Sequence, residues 1–331
     1  MRQLTQPENS AIQKKIWLSI STVSKKRVFL LIFVIVLSLL AAVRFFGIDR
    51  DFYQYRYFFD ELSLPYEGRF EPGFVYFSFL VKWVRGSFTD LLFLVAIFSL
   101  AIKIHLILKL PHYLYWLIVY FLMLFPLHEM TQMRAAMAIG LGYLALHLSI
   151  NSIKRVLPFS LFLLAATFQS SILILLPFFL SPRLFHRFDW RLLFSVMFLP
   201  IVCLYPFIEY LSYLNPLVLT ALNSVVETEA NPFSSLNISL VLILISGIFS
   251  AKKLPENKLP WLYVSAMGLG LWYGFMSIPV FAHRLLELTI FSYFFWIPYL
   301  PKRDRIFTMT LFFVLAIYMF TRSLFIDPLF S

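Results

Sequence analysis

The sequence predicts an all-α, polytopic membrane protein, and three observations carry that reading. Sixty per cent of its 331 residues are hydrophobic and 14% are charged, with a mean hydropathy of +0.81, which lies outside the range of soluble globular domains. The apolar stretches are long and continuous rather than short and alternating, which excludes a β-barrel. Basic residues gather in short segments between those stretches, the distribution that the positive-inside rule produces. The net charge of +11 is therefore explained without a nucleic-acid partner.

Residues 1–27 carry Lys14, Lys15, Lys25, Lys26 and Arg27 ahead of the first apolar stretch and are expected to be a cytoplasmic tail. Residues 28–331 read as one transmembrane catalytic domain. The first span, residues 28–48, is too long for a signal h-region and is followed by no small-residue cleavage site. An outer loop of about residues 49–72 comes next, rich in tyrosine and with more acids than bases. Residues 73–84 are apolar but too few to cross about 30 Å of hydrocarbon, so an interfacial or re-entrant helix is expected there. Residues 88–108 then cross inward, bringing Lys103 and Lys109 to the cytoplasmic face. Residues 113–127 cross outward, and residues 132–150 return to Lys154 and Arg155.

The stretch 156–180 is interrupted at Thr167-Phe168-Gln169-Ser170-Ser171, and Pro177 weakens its second half. As a single span it would carry Arg183, Arg187 and Arg191 outside. A hairpin of two short helices keeps them inside. Broken backbone at membrane depth is tolerated only where it lines a cavity or is buried in protein, which makes the break a site candidate. Residues 192–206 cross to a second outer loop, about residues 207–234, which holds Glu209, Glu227 and Glu229 and no Lys or Arg. Residues 236–250, 261–278, 285–300 and 306–321 complete the traverse. The expectation is about nine full spans plus the hairpin and the interfacial helix, with a GT-C-like arrangement as one option.

Within this topology Arg134 stands out, because Ala135 to Ile150 carries no formal charge. Arginine at membrane depth costs about 2.5–3.5 kcal/mol on insertion scales, less near an interface. Its planar fork of donors suits phosphate and cannot be titrated away. Outer-face arginines run against the positive-inside rule, so Arg134 and Arg284 are read as binding a pyrophosphate or another anionic head group. Gln132, Gln169, His283 and Tyr53 join them as substrate-binding candidates. The general-base candidates are Asp49 and Asp51, with Glu67 and Glu71 behind them.

Blander readings stand beside these. Arg134 could snorkel and pair with Glu129, Arg322 could snorkel at the end of the last span, and Glu287 could form an intrahelical salt bridge with Arg284. The tyrosine-rich loop could be an amphipathic helix in the head-group belt. His128 and His147 read as packing histidines. The single cysteine, Cys203, permits no internal disulfide. No phosphate loop, dinucleotide fingerprint or zinc-protease signature is present, and neither a metal nor a cofactor is expected.

The acidic, tyrosine-rich segment from Asp51 to Tyr57, then Glu71-Pro72-Gly73-Phe74, Gln132-Met133-Arg134 opening a small-residue span, the break at Ala165-Ala166-Thr167-Phe168-Gln169-Ser170-Ser171-Ile172 and the late Arg284 resemble the EpsG-like polysaccharide polymerases. That family is related in role to the Wzy O-antigen polymerases. Its members usually have histidine where this chain has Gln169, which points Gln169 to hydrogen bonding. They also tend to have Gln-Gly where this chain has Ala135-Ala136. The resemblance implies an integral glycosyltransferase of the bacterial inner membrane, with its active site facing the periplasm. It would polymerise undecaprenyl-diphosphate-linked oligosaccharide repeat units into O-antigen or exopolysaccharide. Membrane lipid and a chain-length regulator protein are the implied partners. The rival reading is a lipid-linked oligosaccharide flippase or other transporter. Transporters often carry internal repeats and paired discontinuous helices, whereas this chain has one break and no match to it in its other half.

Overall fold

A computed structural model describes residues 28, 30–49, 51–66, 68, 70–152, 155–214, 231–276, 278–326 and 329, apart from the side chains of residues 204–209 and 211–214. The tail 1–27, Glu67, Arg69, Lys154, Glu227 and Glu229 lie outside the described residues. Within them the architecture is all-helical, with no β-strand.

The main helices are α1 (Leu30–Ala42), α2 (Phe52–Glu61), α3 (Pro72–Trp83), α4 (Phe88–Ile107), α5 (Tyr113–Met123), α6 (Met133–Asn151), α7 (Val156–Phe168) and α8 (Leu176–Leu180). They continue with α9 (Trp190–Leu214), α10 (Ser235–Phe249), α11 (Leu259–Gly274), α12 (Pro279–Ile290) and α13 (Lys302–Thr321). Among the described residues four segments are long and apolar enough to cross a membrane: Phe88–Ile107, Met133–Asn151, Pro279–Tyr299 and Lys302–Ile326. The remaining apolar stretches are shorter, the part of α9 counted among them being Trp190–Cys203. Pro279–Tyr299 starts earlier than the expected 285, because Pro279 at the first helical turn has its φ already set for a helix. The helix α9 runs through Pro206 to Leu214, past residue 207, where the second outer loop is expected to begin; Pro206 and Glu209 therefore do not end it.

The segment expected as the first outer loop is largely helical. Tyr55, Phe58 and Phe59 of α2 fall at helical spacing and are buried, while Tyr53 and Tyr57 face out, 66% and 70% exposed. This is the amphipathic pattern of a helix lying on a core. The ammonium of Lys82 donates to the carbonyls of Phe59, Asp60 and Leu62 at 3.1, 2.6 and 3.1 Å, closing the C-terminal end of α2 onto α3. Ser87 and Asp90 open α4 with a reciprocal capping box.

The helix α6 sits between α4 and α7. The Ser99 hydroxyl donates to the Ala136 carbonyl at 2.9 Å, and a methyl group at Gly140 would touch the Ser99 carbonyl and Ile102. Residue numbers thus rise together on the two helices, which run parallel. Arg134 falls level with Ile97, recessed about nine residues, roughly 14 Å, from the start of α4.

The break at Gln169 makes a hairpin, as expected. The rings of Phe162 on α7 and Phe179 on α8 stack with centroids 4.9 Å apart, and the Ser149 hydroxyl at the far end of α6 donates to the Phe179 carbonyl. The turn itself is a 3-10 helix, Ser170–Leu175. Gly73 of α3 lies so close to Thr167 that a Cβ there would stand 2.8 Å from a backbone carbon, so glycine lets α3 rest on the end of α7.

Lys103, expected at an exposed helix end, is not at the surface. It is fully buried and its ammonium pairs with Glu129 at 2.6 Å, while the Tyr120 hydroxyl donates to the same carboxylate oxygen at 2.5 Å. Neither charge has access to water at that depth, so each takes the other. This cluster joins α4, α5 and the π-helical turn Phe125–Glu129 that leads into α6.

Candidate functional site

The starts of α2, α3 and α6, the hairpin turn and the side of α12 converge on one cavity of about 420 Å³. A narrower recess extends it to Gln132 and Leu288. Helix N-terminal ends carry partial positive charge and unsatisfied N–H groups, so this convergence is favourable for an anion.

Two acidic side chains stand at helix starts without capping them. Asp51 is the N-cap of α2 and Glu71 the N-cap of α3, and neither makes a side-chain cap bond. An acidic N-cap ordinarily accepts from the second or third helical N–H. At α3, Pro72 in the first turn brings no N–H of its own. Both carboxylates line the cavity instead. That of Asp51 has no hydrogen-bond or ion-pair partner among the described residues.

Glu71 is fully engaged. One oxygen pairs with the Arg134 guanidinium, and the other accepts from the Ser170 backbone N–H at 3.4 Å. The Nε–H of Arg134 donates to the Tyr55 hydroxyl at 3.2 Å. The guanidinium also lies 4.9 Å from the centre of the Phe70 ring and 5.8 Å from that of Tyr55, which adds cation–π attraction. Burial raises the pKa of the Tyr55 phenol, keeping it neutral. Arg134 is thus locked in one orientation and does not pair with Glu129. Arg284 also lines the cavity; it is exposed and makes no salt bridge among the described residues.

The break contributes Gln169, Ser170 and Ser171 to the lining, and the Gln169 amide donates to the Ser171 hydroxyl at 3.1 Å. The Gln132 amide donates to Glu287 at 2.8 Å. Glu287 therefore binds across to α6 rather than closing a salt bridge with Arg284.

The EpsG family model matches residues 27–328, nearly the whole chain. The chain belongs to the EpsG family. This is a Wzy-like polymerase family. No curated protein and no solved structure matches the chain.

In this EpsG-family chain the remaining candidates are distributed unevenly. Asp49 does not line the cavity. It is 2% exposed, pairs with Arg44 at 3.4 Å, and accepts from the Asp51 N–H at 2.9 Å. Burial pushes its carboxyl above the usual range, opposed by Arg44. Its place is behind Asp51, supporting the turn that presents it. His283 lies outside the cavity as well, accepting from the Trp272 indole N–H at 3.4 Å. Tyr53 lines a neighbouring groove. Glu67 lies outside the described residues.

Tyr55 and Phe70 are cavity residues of the EpsG-family chain that sequence reasoning does not single out. Tyr55 had a signal, since it stands one helical turn after Asp51 and so shares its face. Phe70 had none, because its ring reaches Arg134 only through the fold of the segment before α3. Among the described residues no cluster suited to a metal ion is present.

Proposed function

We propose that this EpsG-family chain is an integral-membrane glycosyltransferase that joins polyprenyl-diphosphate-linked oligosaccharide repeat units. The observation that carries this reading is one cavity holding an oriented arginine, Arg134, a salt-bridge-free arginine, Arg284, and an uncapped carboxylate, Asp51. Two guanidinium groups suit a diphosphate, and a carboxylate suits a hydroxyl proton.

In this scheme a hydroxyl oxygen of one lipid-linked unit attacks the anomeric carbon of another chain. A new C–O bond forms, the C–O bond to the diphosphate breaks, and its electron pair leaves with undecaprenyl diphosphate. Asp51 accepts the hydroxyl proton. Arg134 and Arg284 stabilise charge developing on the leaving diphosphate, a task favoured in a recessed, water-poor site. Gln132 and Gln169 orient sugar or phosphate oxygens. The leaving group brings its own phosphates, so no nucleotide sugar takes part.

The shorter apolar helices complete a bundle of about nine spans, with the N-terminal tail cytoplasmic and the cavity opening to the outer side of the bacterial inner membrane. A deletion strain tests the function. Collapse of the surface glycan from a ladder to single repeat units supports a polymerase. Loss of all surface units would overturn that reading in favour of a flippase.

A further inference from the structure

Beside the cavity runs an open groove of about 510 Å³. It is formed by one face of α2 and the segment leading into α3. Tyr53, Tyr57 and Glu61 stand one turn apart along α2, and Tyr66 and Phe70 form the opposite wall. The groove is continuous with the cavity, because Gln54 and Phe70 line both. Phe70 has the Arg134 guanidinium over its ring, so the wall of the groove is also the wall of the proposed diphosphate site.

The groove is rigidly built. Lys82 fastens the end of α2 through three carbonyls, and the Phe58 ring below packs on Tyr66 and Phe70 with centroids 5.2 and 4.4 Å away. Its chemistry is mixed: broad ring faces alternate with an amide, a carboxylate and phenol hydroxyls. Ring faces cover the C–H faces of sugars, and planar polar groups bond their hydroxyls. None of the described residues lining the groove is lysine or arginine, so they offer nothing to a second phosphate.

We infer that this groove is a saccharide subsite that holds the glycan leading away from the diphosphate, with Tyr53 and Tyr57 as stacking platforms and Gln54 and Glu61 as hydroxyl partners. The inference rests on the proposed transferase reading for the identity of its glycan. The occupant is a neutral, hydroxyl-rich oligosaccharide, and the lipid and the diphosphate lie elsewhere.

The test uses the full chain in lipid nanodiscs and oligosaccharide released by mild acid from the host's own lipid-linked repeat units, a probe that lacks diphosphate. Saturation-transfer NMR reads its affinity. Binding should be present in the wild type and in Arg284→Ala. It should weaken about tenfold or more in Tyr53→Ala/Tyr57→Ala, which loses two stacking faces, and return to within about threefold in Tyr53→Phe/Tyr57→Phe, which keeps both rings. Both tyrosines are exposed, so the alanine pair should fold. No binding by the wild type, or equal binding by the alanine pair, would overturn the subsite. A separate arm follows polymer formation from lipid-linked units. If the wild type forms none while the alanine pair still loses sugar binding, the subsite stands and the transferase reading fails.

Discussion

One carboxylate, that of Glu71, joins Arg134 of α6 to the Ser170 backbone N–H of the hairpin turn, one oxygen serving each. The orientation of the arginine and the position of the break are therefore set together. Glu71→Gln removes the charge that holds the guanidinium and should lower polymer formation about 100-fold through misplacement of Arg134. Chain-length ladders from cells with matched amounts of membrane-inserted protein measure it. A ladder of wild-type length and intensity would mean that the pairing does not orient Arg134.

Arg284 has no salt bridge to lose among the described residues, so its replacement should leave the fold intact while removing charge from the cavity. Arg284→Ala is expected to reduce transfer by about 10²–10³-fold, the scale for loss of one electrostatic stabiliser. Arg284→Lys should recover part of this, because a point charge replaces the planar fork. Full activity in Arg284→Ala would remove this residue from the proposed clamp.

The uncapped start of α2 allows a clean test of the base. Since Asp51 makes no cap bond, Asp51→Asn should keep the helix content unchanged by circular dichroism. Transfer should nevertheless fall by about 10²–10⁴-fold, the usual range for a general base. An Asn variant as active as the wild type would transfer the proton-accepting role to another group.

The Lys103–Glu129 pair predicts a stability asymmetry. Lys103→Met leaves a carboxylate buried without its cation and should destabilise by about 3–5 kcal/mol. Lys103→Met/Glu129→Gln removes both charges and should unfold at a higher temperature than the single variant. Thermal unfolding of the detergent-solubilised protein decides this. Simple addition of two losses in the double variant would show that the two groups are not coupled.

The architecture was legible where apolar runs are long and charges mark their ends, as for Phe88–Ile107 and Met133–Asn151. The hairpin was legible because Arg183 and Arg187 demanded an inner location that one continuous span would deny them. Arg134, Arg284 and Gln169 were found because polar groups are costly in such segments. Pairing was not legible. Arg134 has Glu129 five residues away in sequence, yet binds Glu71 on another helix, because Glu129 is taken by Lys103. Asp49 and Asp51 look alike as sequence; the turn before α2 buries the first against Arg44 and leaves the second in the cavity.

The three carbonyls gathered by Lys82 separate two parts of the α2–α3 region that the sequence runs together. Because α2 is fastened from α3 and by the packing of Phe58 on Tyr66 and Phe70, the exposed rings of Tyr53 and Tyr57 do not have to hold it in place. Those two positions are free to diverge while the arginines stay where they are. On the proposed transferase reading, glycan preference and bond-forming chemistry can then evolve on separate clocks, and exchanging residues 53 and 57 between family members becomes a direct way to retarget the protein without rebuilding it.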